Sequence, residues 1–149
     1  MTTSDPQPLV RPRGTGTTVR FLGTDMTLLA TGQETGGTFG LIEQALPPGF
    51  GPPPHVHHGE DEAFYILEGG LTFTCGGRTL RAEAGTFVFL PRDVAHTFHV
   101  DDDAPARLLQ LNAPGGIERF FVEAADAPDR PPDLDRVLAL TGKYRFEIV

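Results

Sequence analysis

The apolar residues of this chain fall in short runs of four to eight, rich in Val, Ile, Phe and Thr and separated by glycine-rich turns. That is the pattern of strands rather than helices. The runs V-R-F-L (19–22), M-T-L-L-A-T (26–31) and F-G-L-I-E-Q-A-L (39–46) open the series. A-F-Y-I-L-E (63–68), L-T-F-T-C (71–75) and R-T-L-R-A-E (78–83) form a meander, with Gly76-Gly77 as a two-residue hairpin turn. T-F-V-F-L (86–90), A-H-T-F-H-V (95–100) and A-R-L-L-Q-L-N (106–112) complete the predicted core strands. Between the third and fourth runs, P-P-G-F-G-P-P-P (47–54) cannot be the middle of a sheet, because proline lacks the ladder donor; it reads as a stiff, extended approach.

The pattern changes after residue 113. Ile117, Phe120, Phe121 and Ala124 have helical spacing and predict a short helix within 114–124. A second is predicted over 131–142, with Asp133 as N-cap and Gly142 as stop, followed by a strand over 144–149. Residues 1–18, with Pro6, Pro8, Pro12, Gly14 and Gly16, read as a flexible arm. The remainder, 19–149, reads as a single all-β domain with its barrel core at about 39–112 and an extension over 113–149.

Composition narrows the partners. The chain has 149 residues with 18 Gly, 14 Pro and a net charge of −8, and no cluster of Lys or Arg. Nucleic acid and anionic membranes are therefore excluded as expected partners. The lone Cys75 rules out an internal disulfide and, sitting in a strand-like run, suits packing. No apolar run approaches the ~20 residues that span a bilayer. The expectation is a soluble, cytoplasmic protein.

Candidate chemistry is concentrated in one stretch, G-F-G-P-P-P-H-V-H-H-G-E-D-E, residues 49–62. His55 and His57 are two apart, so both rings leave an extended chain on one face. Glu62 follows past a short turn at Gly59. Two imidazoles and a carboxylate suit one divalent transition ion: iron, manganese, nickel, cobalt or zinc. His58 points the other way, His99 has the opposite parity to His96, and Glu60 and Asp61 read as solvated loop acids. Phe64 and Ile66 share the face of Glu62, and Phe98 that of His96. With Phe73 from the same phenylalanine-rich set, they would wall a small, mostly apolar pocket, although plain core filling fits them equally well.

The spacing of these residues resembles the cupin family. Its first motif is matched by Gly49, His55, His57, Glu62 and Gly69, and Glu62 rather than Asp61 leaves the six residues required before Gly69. Its second is matched by Gly85, Pro91 and His96, with Asp93 in place of a turn glycine and Val100 in place of a terminal asparagine. Asp tolerates left-handed turn geometry, so the first departure costs little. Pro114 to Phe121, P-G-G-I-E-R-F-F, resembles the stretch after the barrel in quercetinase-like cupins.

The resemblance implies a double-stranded β-helix barrel of jelly-roll type, one metal ion per chain held by His55, His57, Glu62 and His96, and a homodimer paired through its N-terminal strands. The leading function it implies is a metal-dependent dioxygenase acting on a small enolic or phenolic compound, with Glu62 accepting the substrate's hydroxyl proton. A metal-dependent isomerase or cyclase of natural-product metabolism, and a non-catalytic small-molecule binder, are the alternatives. Fold alone does not choose among them.

Overall fold

The computed structural model describes residues 5–129 and 132–149, and over these the short apolar runs become strands of two antiparallel sheets. The strands are β1 (Thr17–Phe21), β2 (Thr24–Ala30), β3 (Gly40–Leu46), β4 (His55–His57), β5 (Asp61–Glu68), β6 (Gly70–Cys75), β7 (Arg78–Glu83), β8 (Phe87–Leu90), β9 (His96–Val100), β10 (Ala106–Ala113) and β11 (Phe146–Ile148). One sheet has the order β1-β2-β3-β10-β5-β8, the other β11-β4-β9-β6-β7. With two short C-terminal helices, α1 (Glu118–Glu123) and α2 (Leu134–Leu140), this is the jelly-roll-type barrel expected from the sequence. No described helix is long and apolar enough to cross a membrane.

Alternation sets which side chains face inward. Along β3 and β10 every second residue is buried, so Ile42, Gln44 and Leu46 share the interior with Leu108, Gln110 and Asn112. Between β6 and β7, Cys75 pairs with Arg78, leaving Gly76 and Gly77 as the turn. Their φ values of 56° and 78° are both left-handed, as a tight hairpin of this kind demands. Asp93, in the position where the cupin motif has glycine, also adopts positive φ, at 66°.

Some elements differ from the sequence reading. His55–His57 is itself a strand, β4, paired with β9 on one side and β11 on the other; three residues are too few to show a period. Thr17 and Thr18, assigned to the arm, already pair with Leu28 and Thr27 in the first hairpin. Arg11 fastens what precedes them, reaching the Leu29 carbonyl and forming a two-pronged pair with Glu34. Residues 1–4 of the arm lie outside the described residues, as does Pro131 of the second predicted helix. That helix runs over Leu134–Leu140, and Asp133 caps it by accepting from the Arg136 amide at 3.1 Å.

Helix α1 is shorter than expected because Pro114-Gly115-Gly116 leads in without helical geometry, Gly116 having a φ of 141°. Its seat is Glu118, wholly buried, whose carboxylate accepts from the backbone amides of Gly32 and, at 2.8 Å, Gly116. So anchored, α1 turns Phe120 and Phe121 edge-on against Phe21, with ring centroids 5.5 and 5.1 Å away. They belong to an apolar cluster with Met26, Ile42, Val137 and Phe146. A second cluster, with Phe64, Ile66, Leu71, Phe73 and Phe98, fills the rest of the barrel.

Candidate metal centre

The pairing of β4 with β9 sets His55 directly opposite His96, and β5 supplies Glu62 from the facing sheet. His55, His57, Glu62 and His96 each offer one donor atom, and these atoms lie within 4.8 Å of one another. The imidazole centroids are 4.5 to 5.5 Å apart. His96 Nε2 is 2.9 Å from Glu62 Oε2, and His57 Nε2 is 3.4 Å from Glu62 Oε1. His57, Glu62 and His96 are buried and His55 is half-buried.

The outward nitrogens explain which atoms face the centre. His55 Nδ1 is 2.8 Å from the Pro53 carbonyl, and His96 Nδ1 is 3.2 Å from that of Val94. His57 Nδ1 lies 2.8 Å from Glu60 Oε1, a contact without good hydrogen-bond alignment. With Nδ1 of His55 and His96 donating to these carbonyls, the Nε2 lone pair of each is left for the centre, and Glu60 is the nearest acceptor for His57 Nδ1. His96 Nε2, buried, has no aligned hydrogen-bond partner among the described residues. A borderline-hard divalent cation would satisfy it, and the three-nitrogen, one-carboxylate donor set fits such an ion.

Charge points the same way. Burial pushes the His55 ring down to about 4 against the opposing pull of Glu62, so this ring is neutral. Burial also works against protonated His57, but Glu62 and Glu60 outweigh it and raise this ring above its ordinary value. Burial alone would raise Glu62, yet His57, His96 and His55 hold it down to about 2. An ionised carboxylate among imidazoles calls for a positive charge, which a proton on His57 or a cation can provide.

Glu60 departs from the sequence reading. It is no solvated loop acid: the turn at Gly59 folds it back, 6% exposed, onto His57. Its place three residues after His57 was the available signal. Gln44, Gln110 and Asn112 were also passed over, although their strand parity places polar groups where aliphatic neighbours face inward. His58 lies outside the cluster, bound to Asp93 at 2.6 Å and Glu147 at 2.9 Å, and His99 pairs with Asp102 at 2.8 Å. Burial raises the Cys75 thiol, as suits a packed side chain.

A cavity of about 80 Å³ opens beside the four donors. Phe64 and Phe98 line it; Ile66 and Phe73 do not, and are fully buried in the core behind. Phe21, Phe120, Phe121 and Phe146 add to its aromatic lining, and no lysine or arginine lines it among the described residues.

A profile described as "Cupin domain" matches residues 42–112, which contain all four donors. That segment is a cupin domain. Among curated proteins this cupin is similar to quercetin 2,3-dioxygenase of Bacillus subtilis, at 27% identity over 99 residues, 66% of this chain and 29% of the relative. It spans less than half the length of the curated relatives it matches, 29% and 40%. Among solved structures it is similar to the polyketide cyclase RemF of Streptomyces resistomycificus, with 25% identity, a TM-score of 0.61 and coverage of 72% and 80% of the two chains. An RmlC-like cupin of Shewanella frigidimarina shares the fold at 16% identity, a TM-score of 0.64 and coverage of 76% and 97%.

Proposed function

We propose that this cupin binds one divalent transition ion through His55, His57, Glu62 and His96 and acts as a dioxygenase on a small enolic or phenolic compound. The observation that carries the reading is the arrangement of the three imidazoles, His55 and His96 tied outward through Nδ1 and His57 set against Glu60, with Glu62 closing the set beside an aromatic cavity. The similarity to a quercetin dioxygenase supports the oxygen chemistry. With no lysine or arginine among the described residues of its wall, the cavity suits a neutral, planar molecule better than a phosphate or a dicarboxylate.

When bound, the ion would act as a Lewis acid toward an enol or phenol oxygen and bring dioxygen to it. The chain supplies the rest. Glu62, ionised, accepts the hydroxyl proton at a carboxylate oxygen. Phe64, Phe98, Phe120 and Phe121 line the cavity and would orient the ring of a bound compound. A homodimer belongs to the same proposal, β1 and β8 being the edges of the six-stranded sheet among the described residues. Sedimentation of the purified chain tests it.

A second reading, a metal-dependent cyclase or isomerase, draws on the similarity to a polyketide cyclase. One experiment separates them. Protein loaded in turn with iron, manganese, nickel, cobalt and zinc is offered a panel of flavonols and enolic polyketides, with and without oxygen. Product formation that consumes oxygen mole for mole supports the dioxygenase, and equal turnover under anaerobiosis supports the cyclase. Retained turnover in both His96→Ala and Glu62→Ala would sink either. Tight ligand binding without product would leave a binding module.

A further inference from the structure

Glu62 is not held by the histidines alone. On the inner face of the six-stranded sheet, Gln110 Nε2 donates to Glu62 Oε1 at 2.9 Å and to Asn112 Oδ1 at 3.0 Å. Gln110 Oε1 in turn accepts from Gln44 Nε2. Gln44, Glu62, Gln110 and Asn112 are 2%, 3%, 4% and 0% exposed. Three buried amides in inward positions that Leu or Met would fill are an expensive way to pack a barrel, since each polar atom demands a partner. Among the described residues Asn112 Nδ2 indeed has none. Packing does not account for them.

The amides are also ordered in direction. A carboxylate can only accept, so Gln110 must present its NH₂ group to Glu62. Its carbonyl then faces Gln44, which must present its own NH₂, and Asn112 must present its oxygen. The charge on Glu62 thereby sets the orientation of all three side chains, and they in turn fix the rotation of its carboxyl group. Oε1 is held by Gln110 while Oε2 is left toward His96, 2.9 Å away.

We propose that Gln110, braced by Gln44 and Asn112, is a positioning residue that orients Glu62 as the fourth donor of the site. This rests on the reading of the four residues as metal ligands. Gln44 and Gln110 also line the cavity, so the brace joins the donor to the wall against which a ligand would lie.

The test is a Co²⁺ titration, followed by visible absorption, of the wild-type chain, Gln110→Leu, Glu62→Ala and the double variant. Ligand-supporting hydrogen bonds are worth about 10- to 100-fold in metal affinity, and Gln110→Leu should lose that much and change the absorption envelope. In the Glu62→Ala background, where the three imidazoles remain, Gln110→Leu should change affinity little. An unchanged affinity and spectrum in Gln110→Leu overturns the proposal, as does an equal loss in both backgrounds, which would mean packing. A wild-type chain that takes up no Co²⁺ overturns the metal reading itself. If Gln110→Leu does not fold, Gln44→Leu takes its place. It leaves Gln110 unbraced and should show a smaller loss of the same sign, no loss again being fatal.

Discussion

Glu118 lies against Gly40 so closely that a methyl group at residue 40 would sit 2.7 Å from its carboxyl carbon. Gly40 is present for space, since its backbone is not left-handed, and the space belongs to the acid that anchors α1. Gly40→Ala should therefore destabilise the barrel by about 1–3 kcal/mol as an overpacked site. Glu118→Ala should cost at least as much, because the Gly32 and Gly116 amides lose their acceptor, at about 1–3 kcal/mol each. Gly142→Ala, with nothing within 4 Å, should lie within about 0.5 kcal/mol of wild type. Urea denaturation reads all three, and a Gly40→Ala chain as stable as Gly142→Ala would refute this account of the E-R-F-F segment.

Phe73 and Phe98 look alike in sequence, but only Phe98 meets the cavity. Phe73→Ala should cost about 3–5 kcal/mol, the usual price of an emptied core position. Phe98→Ala should cost less stability and instead enlarge the space beside the donors, admitting bulkier ligands. Unfolding curves combined with a ligand-size series separate the two, and equal behaviour of the variants would contradict the placement.

Protonation of His57 competes with any ion, and the sign follows from its raised ring. Without an ion, a proton on His57 favours the folded chain at acid pH, and this contribution is lost as pH rises through the raised value. An ion needs the bare nitrogen, so its affinity rises over the same interval. The stabilisation produced by added Co²⁺ should thus grow from mildly acid to mildly alkaline pH. Glu60→Gln, which removes one of the charges raising His57, should move that growth to lower pH. Thermal melts with and without Co²⁺ across pH check it; a pH-independent gain would rule out His57 as a ligand.

The sequence disclosed the strands because inward and outward residues alternate and glycines mark the turns. It disclosed three donors because His-x-His on a strand places two rings on one face with Glu62 close behind, whereas His96 was marked by the cupin motif. What it hid has a common cause: parity says which face a side chain takes but not how far along the barrel it lies. Ile66 has the parity of Glu62 yet sits deeper, in the closed core, and Phe73 does the same beside Phe98. The contact of Glu60 with His57 depends on the path of a turn. The bracing of Glu62 depends on β10 lying between β3 and β5, an order no local pattern records.

Three of the four donors belong to the five-stranded sheet and the fourth to its six-stranded counterpart. An ion among them would be a rivet through the barrel wall, clamping two layers that otherwise meet through side-chain packing. Its departure would loosen the seam before anything else, so amide exchange should quicken first along β4 and β9. Melting temperature then becomes a gauge of occupancy: an ion at a hundred times its Kd adds about 2.7 kcal/mol to the folded state. The affinities of the candidate ions can then be ranked by heat alone, before any substrate is known.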